Sequence, residues 1–123
     1  MVIPRRHRAI LAAGLIWLSA SCSAYRAQVI ATKEAVLTHH LSTIRETLER
    51  YKTDKKKWPA RLSTLVEAGY FKELPTDPMT QSTTWRETMS APDPAQPNEE
   101  RGVEDVNSMS EEIGSDGRSY KEW

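Results

Sequence analysis

The side chain best placed for covalent chemistry is Cys22, the single cysteine of the chain. It follows Leu18-Ser19-Ala20-Ser21, and ahead of that lie Arg5, Arg6 and Arg8 and the apolar run Ala9 to Ala20. A basic segment, an apolar stretch and a small-residue end are the three parts of an export signal. The run is short for a bilayer span, which takes ~20 apolar residues. A thiol that becomes N-terminal after cleavage supplies the nucleophilic sulfur that a bacterial lipoprotein pathway acylates. Three positions before it stands Ser19, with Leu18 one place earlier than the aliphatic residue usual there. The residues leave three outcomes open: lipidation of Cys22, ordinary signal cleavage after Ser21 or Ala24, or retention of the apolar stretch as a membrane anchor. All three place residues after Ala24 outside the cytoplasm. Residues 1–23 are therefore assigned to a signal or membrane attachment and 24–123 to one exported domain of the bacterial cell envelope, facing the periplasm or the exterior. A lone cysteine also rules out an intrachain disulfide.

Other reactive side chains form no catalytic pattern. His39 and His40 are adjacent, so on a helix they point about 100° apart and cannot ligate one metal from one face. Lys55-Lys56-Lys57 beside Trp58 reads as a solvated turn over a buried aromatic. No nucleophile, base and orienting acid fall into a recognisable spacing, and there is no glycine-rich phosphate loop. The chain is expected to be a non-enzyme without a resident cofactor. Its zero net charge hides a division. Residues 1–32 carry four basic and no acidic side chains, residues 33–73 nine basic and six acidic, and residues 74–123 four basic and eleven acidic. A C-terminal segment about seven charges negative repels nucleic acid, whose binding rests on neutralising phosphates.

The elements that must position these groups follow from periodicity. Ile30, Leu37, Leu41, Ile44, Leu48 and Tyr51 are spaced 7, 4, 3, 4 and 3, one stripe of a helix. Glu34, Arg45, Glu46, Glu49 and Arg50 are assigned to the opposite face, with Arg45–Glu49 and Glu46–Arg50 at pairing distance. With no Gly or Pro between Ala24 and Lys52, this helix should run about 28 residues, or ~42 Å. Pro59 should open a second, shorter helix with Leu62, Leu65 and Val66 inward and Gly69 as its left-handed cap. Leu74 to Thr80 reads as a rigid loop, Thr83 to Trp85 and Val103 to Asn107 as short strands, and Asp116-Gly117 as a turn. Val103, Val106, Ile113, Tyr120 and Trp123 should cover the helix. The fold class is α+β: a long amphipathic helix packed on a short helix and a small antiparallel sheet.

Several stretches occur together in order: Thr32 to Leu41, Thr43-Ile44-Arg45-Glu46, Tyr51 to Lys55, Trp58-Pro59, Leu65 to Tyr70, Leu74 to Thr80, Gly102 to Ser108 and Asp116 to Trp123. In that order they resemble the periplasmic part of the type II secretion major pseudopilin family, over roughly residues 24–123. The resemblance implies a pilin-like fold and a structural or accessory role in a type II secretion or related pilus system. Its implied partners are the membrane, other pseudopilins and secretion components. The family's leader ends in Gly followed by Phe or Met, with Glu five residues on. Here Gly14 is followed by Leu15, and the fifth position after Gly14 is Ser19. The combination implies a pilin-like ectodomain on a lipoprotein-type attachment.

The family's major pseudopilin binds calcium in its C-terminal loop, which makes Asp105, Asn107 and Asp116 the calcium candidates. They offer hard oxygen ligands. They do not follow the EF-hand pattern, since Met109, Ser110 and Asp116 stand at its fifth, sixth and twelfth positions counted from Asp105. A solvated acidic surface is the preferred account. The alternative function is a calcium-stabilised or ligand-binding envelope lipoprotein that shares the fold and has no role in secretion.

Overall fold

The structure is a computed structural model. It describes residues 21–123 in full and, for Pro4 to Ala20, only that their backbone belongs to the first helix. The Arg5, Arg6 and Arg8 cluster and the side chains of Ala9 to Ala20 therefore lie outside the described residues. The order of elements is α1 (Pro4–Lys55), α2 (Thr64–Glu67), β1 (Arg86–Met89), β2 (Val103–Asn107) and a 3₁₀ turn (Tyr120–Glu122). The architecture is α+β, with a long helix, a short helix and a two-stranded antiparallel sheet. The chain divides into two compact units, residues 1–32 and 33–123. In the first, residues 21–32 are all exposed. No helix among the described residues is long and apolar enough to cross a membrane.

The second unit is organised by one face of α1. Leu37, Leu41, Ile44, Leu48 and Tyr51 are buried on it, and Leu62, Leu65, Trp85, Val103, Val106 and Tyr120 close over them. Lys52 and Lys55 in the last turn suit the negative end of the helix dipole. The helix stops where Lys56 takes a left-handed conformation at φ 63°, its N–H donating to Lys52 O at 2.9 Å.

Several sequence expectations are corrected here. Ile30 is 48% exposed and belongs to the first unit, not to the core. Val66 is only half-buried, and Ile113 is 66% exposed. Glu34, assigned to the solvent face, is buried with 8% exposure. It lies three residues before Leu37, and 34, 37, 41, 44 and 48 continue the same stripe. Neither expected ion pair, Arg45–Glu49 or Glu46–Arg50, forms, and Arg45 turns instead to Asp105 at 2.8 Å.

The second helix is a single turn that begins at Thr64, not at Pro59. Tertiary partners take the groups an earlier start would use: Pro59 O accepts from Val103 N at 2.7 Å, and Leu62 N donates to Glu87 Oε1 at 3.0 Å. Its end is as expected. Gly69 has φ 85°, its N–H donates to Val66 O at 3.1 Å, and Tyr70 N donates to Leu65 O at 2.9 Å. This 6→1 and 5→2 pattern needs the left-handed residue that glycine accepts without strain.

The first strand lies at Arg86–Met89, one step beyond Thr83 to Trp85. Trp85 is buried instead and donates its indole N–H to Pro75 O at 2.9 Å. All four β1 residues are exposed, so no alternation marked them. β1 pairs with β2 in the register Arg86↔Asn107, Glu87↔Val106, Thr88↔Asp105 and Met89↔Val103, with an irregularity between Thr88 and Met89. Val103 and Val106 are the fully buried pair of β2.

Ile44→Ala or Leu48→Ala should each cost about 2–5 kcal/mol, the range for large-to-small changes at buried sites. Ile30→Ala should stay within about 0.5 kcal/mol of wild type, as surface sites do. Chemical denaturation of the three variants checks this. A loss at position 30 equal to that at 44 would place Ile30 in the folded core after all.

Candidate functional site

The side chains with most chemistry gather where the C-terminal segment returns to α1. Arg45, on α1 beside the core residue Ile44, donates through Nε to Asp105 Oδ1 at 2.8 Å. Through Nη2 it also donates to the backbone oxygens of Val106 and Trp123, both at 2.9 Å. One guanidinium thus joins the long helix, β2 and the last residue. Its planar fork suits several acceptors in one plane, which a lysine could not serve. Asn107 Nδ2 also donates to the Trp123 oxygen.

About three turns nearer the start of the second unit, the buried Glu34 carboxylate receives the C-terminal loop. Its Oε1 accepts from Ser115 N at 2.8 Å and from Tyr120 Oη at 2.8 Å, and its Oε2 accepts from Ser115 Oγ at 2.5 Å. The loop is shaped to present these donors. Gly117 at φ 83° makes the turn, Gly114 N donates to Arg118 O at 2.7 Å, and Ile113 bridges Ser119. Gly114 packs closely, since a Cβ there would lie 2.8 Å from the Trp123 ring and 2.9 Å from that of Tyr120. Burial works to raise the Glu34 pKa. The hydrogen bonds from Ser115 and Tyr120 outweigh it and hold the carboxyl below its ordinary value. The Tyr120 phenol is pushed up to about 12, first by burial and then by the hydrogen bond and charge of Glu34.

A third buried acid, Asp77, secures the loop that precedes the sheet. It is fully buried, accepting from Ser108 Oγ at 2.5 Å and from Met79 N at 2.8 Å. Its own backbone bonds with Ser82 and Gln81 close the turn. The Leu74 to Thr80 stretch is thereby fixed, and His40 Nδ1 adds a 2.8 Å contact to Thr76 O.

The carboxylates of the two acidic calcium candidates are engaged by protein. Asp105 is held by Arg45, and Asp116 accepts from Arg118 N and Arg118 Nε, both at 2.9 Å, while Asn107 donates through Nδ2 to the Trp123 oxygen. The Asp116 carboxyl lies below its usual range, chiefly through the Arg118 backbone N–H. Among the described residues no group of three or more His, Cys, Asp or Glu side chains is arranged to hold a metal ion. Calcium would have to displace Arg45 and Arg118 to use Asp105 and Asp116. Cys22 is exposed. His39 is exposed, and its ring centroid lies 6.1 Å from that of His40. Trp58 is half-buried, with the Lys52 ammonium 5.6 Å from its ring centroid.

A group whose folded-state pKa is depressed contributes stability above its unfolded value, and loses it as the pH falls through the folded one. Glu34 should therefore add stability fully present above about pH 4.3 and lost below it. Glu34→Gln should cost about 1.5–3 kcal/mol at neutral pH, the range for hydrogen bonds to a charged group. The difference between wild type and variant should shrink as the pH is lowered through the acid range. Urea melts of both proteins from pH 7 downward test this, and a difference independent of pH would contradict the charged role of Glu34.

No family model, curated protein or solved structure matches this chain.

Proposed function

We propose that this protein is a non-enzymatic, envelope-anchored structural or accessory component of a type II secretion or related pilus system. It is held at its N-terminus by a lipid on Cys22 or by a membrane anchor, and its folded unit faces the periplasm or the exterior. It takes no resident cofactor, does not bind nucleic acid, and works through contacts with other pseudopilin-like subunits or secretion components. The observation that carries this role is the return of the C-terminal segment onto the long helix. Tyr120 and Trp123, which belong to the ordered motifs of the resemblance, are bound to Glu34 and Arg45 of α1, and Ser115, just before the Asp116-Gly117 turn, is also bound to Glu34. The α+β architecture and the exposed Cys22 thiol are consistent with it.

Two measurements on the full-length protein test the proposal. Intact mass of the membrane-extracted protein should show an N-terminal Cys22 carrying acyl chains, and Cys22→Ala should leave an unprocessed precursor or a soluble form. Crosslinked co-purification should recover secretion or pilus components. An unmodified mass unchanged by Cys22→Ala would defeat the lipid attachment. Recovery without such components, together with a melting temperature that rises on adding calcium and no longer does so in Asp116→Ala, would favour the calcium-stabilised lipoprotein instead.

A further inference from the structure

Turning Arg45 toward the sheet leaves carboxylates behind it unmatched, around an aromatic ring. A depression of about 490 Å³ lies between α1 and β2, lined by Arg45, Glu46, Glu49, Trp58, Glu104 and Asp105. Arg45 and Asp105 neutralise each other at 2.8 Å, while Glu46, Glu49 and Glu104 make no ion pair among the described residues. Trp58 and Glu104 also line a second depression of about 220 Å³. There they meet Lys52, Arg101 and the acidic Asp93, Glu99 and Glu100 of the proline-bearing loop between the strands. Trp58 is thus the shared wall of a two-part groove with a surplus of negative charge.

The ring itself shows what it accepts. The Lys52 ammonium lies 5.6 Å from its centroid, within the range in which an aromatic face attracts a cation. The backbone that carries the ring is closely packed. A Cβ at position 102 would sit 2.6 Å from both the Trp58 Cβ and the Trp58 carbonyl oxygen, so only glycine allows this approach. Pro59 O is tied to Val103 N at 2.7 Å. An aromatic wall beside unpaired carboxylates on two separate elements matches a side chain that combines charge with a flat face. Calcium is a poor fit, because it takes six to eight oxygens and gains nothing from an indole. Arginine is a good fit, since its guanidinium stacks on aromatic rings and bonds to carboxylates at once. We propose that this groove is a docking site for an arginine-bearing basic segment of a partner polypeptide, with a guanidinium seated against Trp58 and held by Glu46, Glu49 and Glu104. This site does not depend on the secretion role.

The test titrates the full-length protein with a labelled peptide of alternating arginine and serine at physiological salt. Anisotropy reports binding, and the Trp58 indole N–H resonance, identified through Trp58→Phe, reports its location. Saturable binding that shifts this resonance is expected. A peptide with citrulline in place of arginine should not bind. The combined Glu46→Gln, Glu49→Gln and Glu104→Gln variant should weaken binding about tenfold or more. A control that removes the same charge elsewhere, at the exposed Glu67, Glu73 and Glu111, should bind as wild type does. Both triple variants change only exposed side chains, and their melting curves verify folding. An unmoved Trp58 resonance would overturn the proposal, as would equal weakening by the two triple variants, which would mean diffuse charge attraction. Concentration-dependent self-association abolished by the groove variant would also overturn it, by making the occupant a second copy of this chain.

Discussion

A single helix cannot bury its own apolar stripe, and the second unit of this protein is built around that constraint. Leu37, Leu41, Ile44 and Leu48 lie on one side of α1, and all four are buried. The cover is slight: one turn of helix, two short strands and a C-terminal loop. Burial alone gives such a cover area but no fixed position, because the hydrophobic effect is non-directional. Position comes from polar groups that tie the helix to the cover and one part of the cover to another. Arg45 reaches β2 and the last residue, Glu34 reaches the 114–120 loop, and Asp77 ties the preceding loop to Ser108.

These tethers differ in physical kind. Glu34 and Asp77 are buried carboxylates served by neutral donors, and each would be costly if left unmatched. Arg45 is part-exposed, so its ion pair with Asp105 is weaker than the 2.8 Å distance suggests, and its bonds to two backbone oxygens carry more of the geometry. The arrangement also has a consequence at the surface. Arg45 is one turn from Glu49 and would ordinarily pair with it along the helix. Committed to the sheet instead, it leaves Glu46, Glu49 and Glu104 beside Trp58 without an ion pair among the described residues. The same contact that fastens the fold therefore shapes the negative groove.

Much of this was legible in the sequence, and the failures have identifiable causes. The long helix, its core stripe from Leu37 to Tyr51, the Gly69 cap, the β2 strand and the Asp116-Gly117 turn all follow from periodicity or from backbone requirements local to those residues. Ile30 failed because a stripe continues beyond the point where there is a cover to meet it. β1 failed because an exposed edge strand carries no alternation, and α2 began late because distant groups claimed Pro59 and Leu62. Glu34 could have been found, since a carboxylate in step with Leu37, Leu41 and Ile44 must be buried or break the stripe. Arg45 could not, because its partners lie 60 and more residues away and pairing with Glu49 satisfied every local rule. Asp105 and Asp116 offer oxygen ligands on paper, but sequence does not reveal that Arg45 and Arg118 already bond their carboxylates.

The central claim is that helix and C-terminal cover form one cooperative unit. Native-state hydrogen exchange at individual amides tests it most directly. The amides of Val106, Ser115 and Tyr120, bonded within the cover or to Glu34, should open with the same free energy as those of Ile44 and Leu48 in α1. Denaturant should lower all of them in parallel toward global unfolding. Cover amides exchanging orders of magnitude faster than those of the helix, with no dependence on denaturant, would contradict the account and make the C-terminal segment a loosely attached flap.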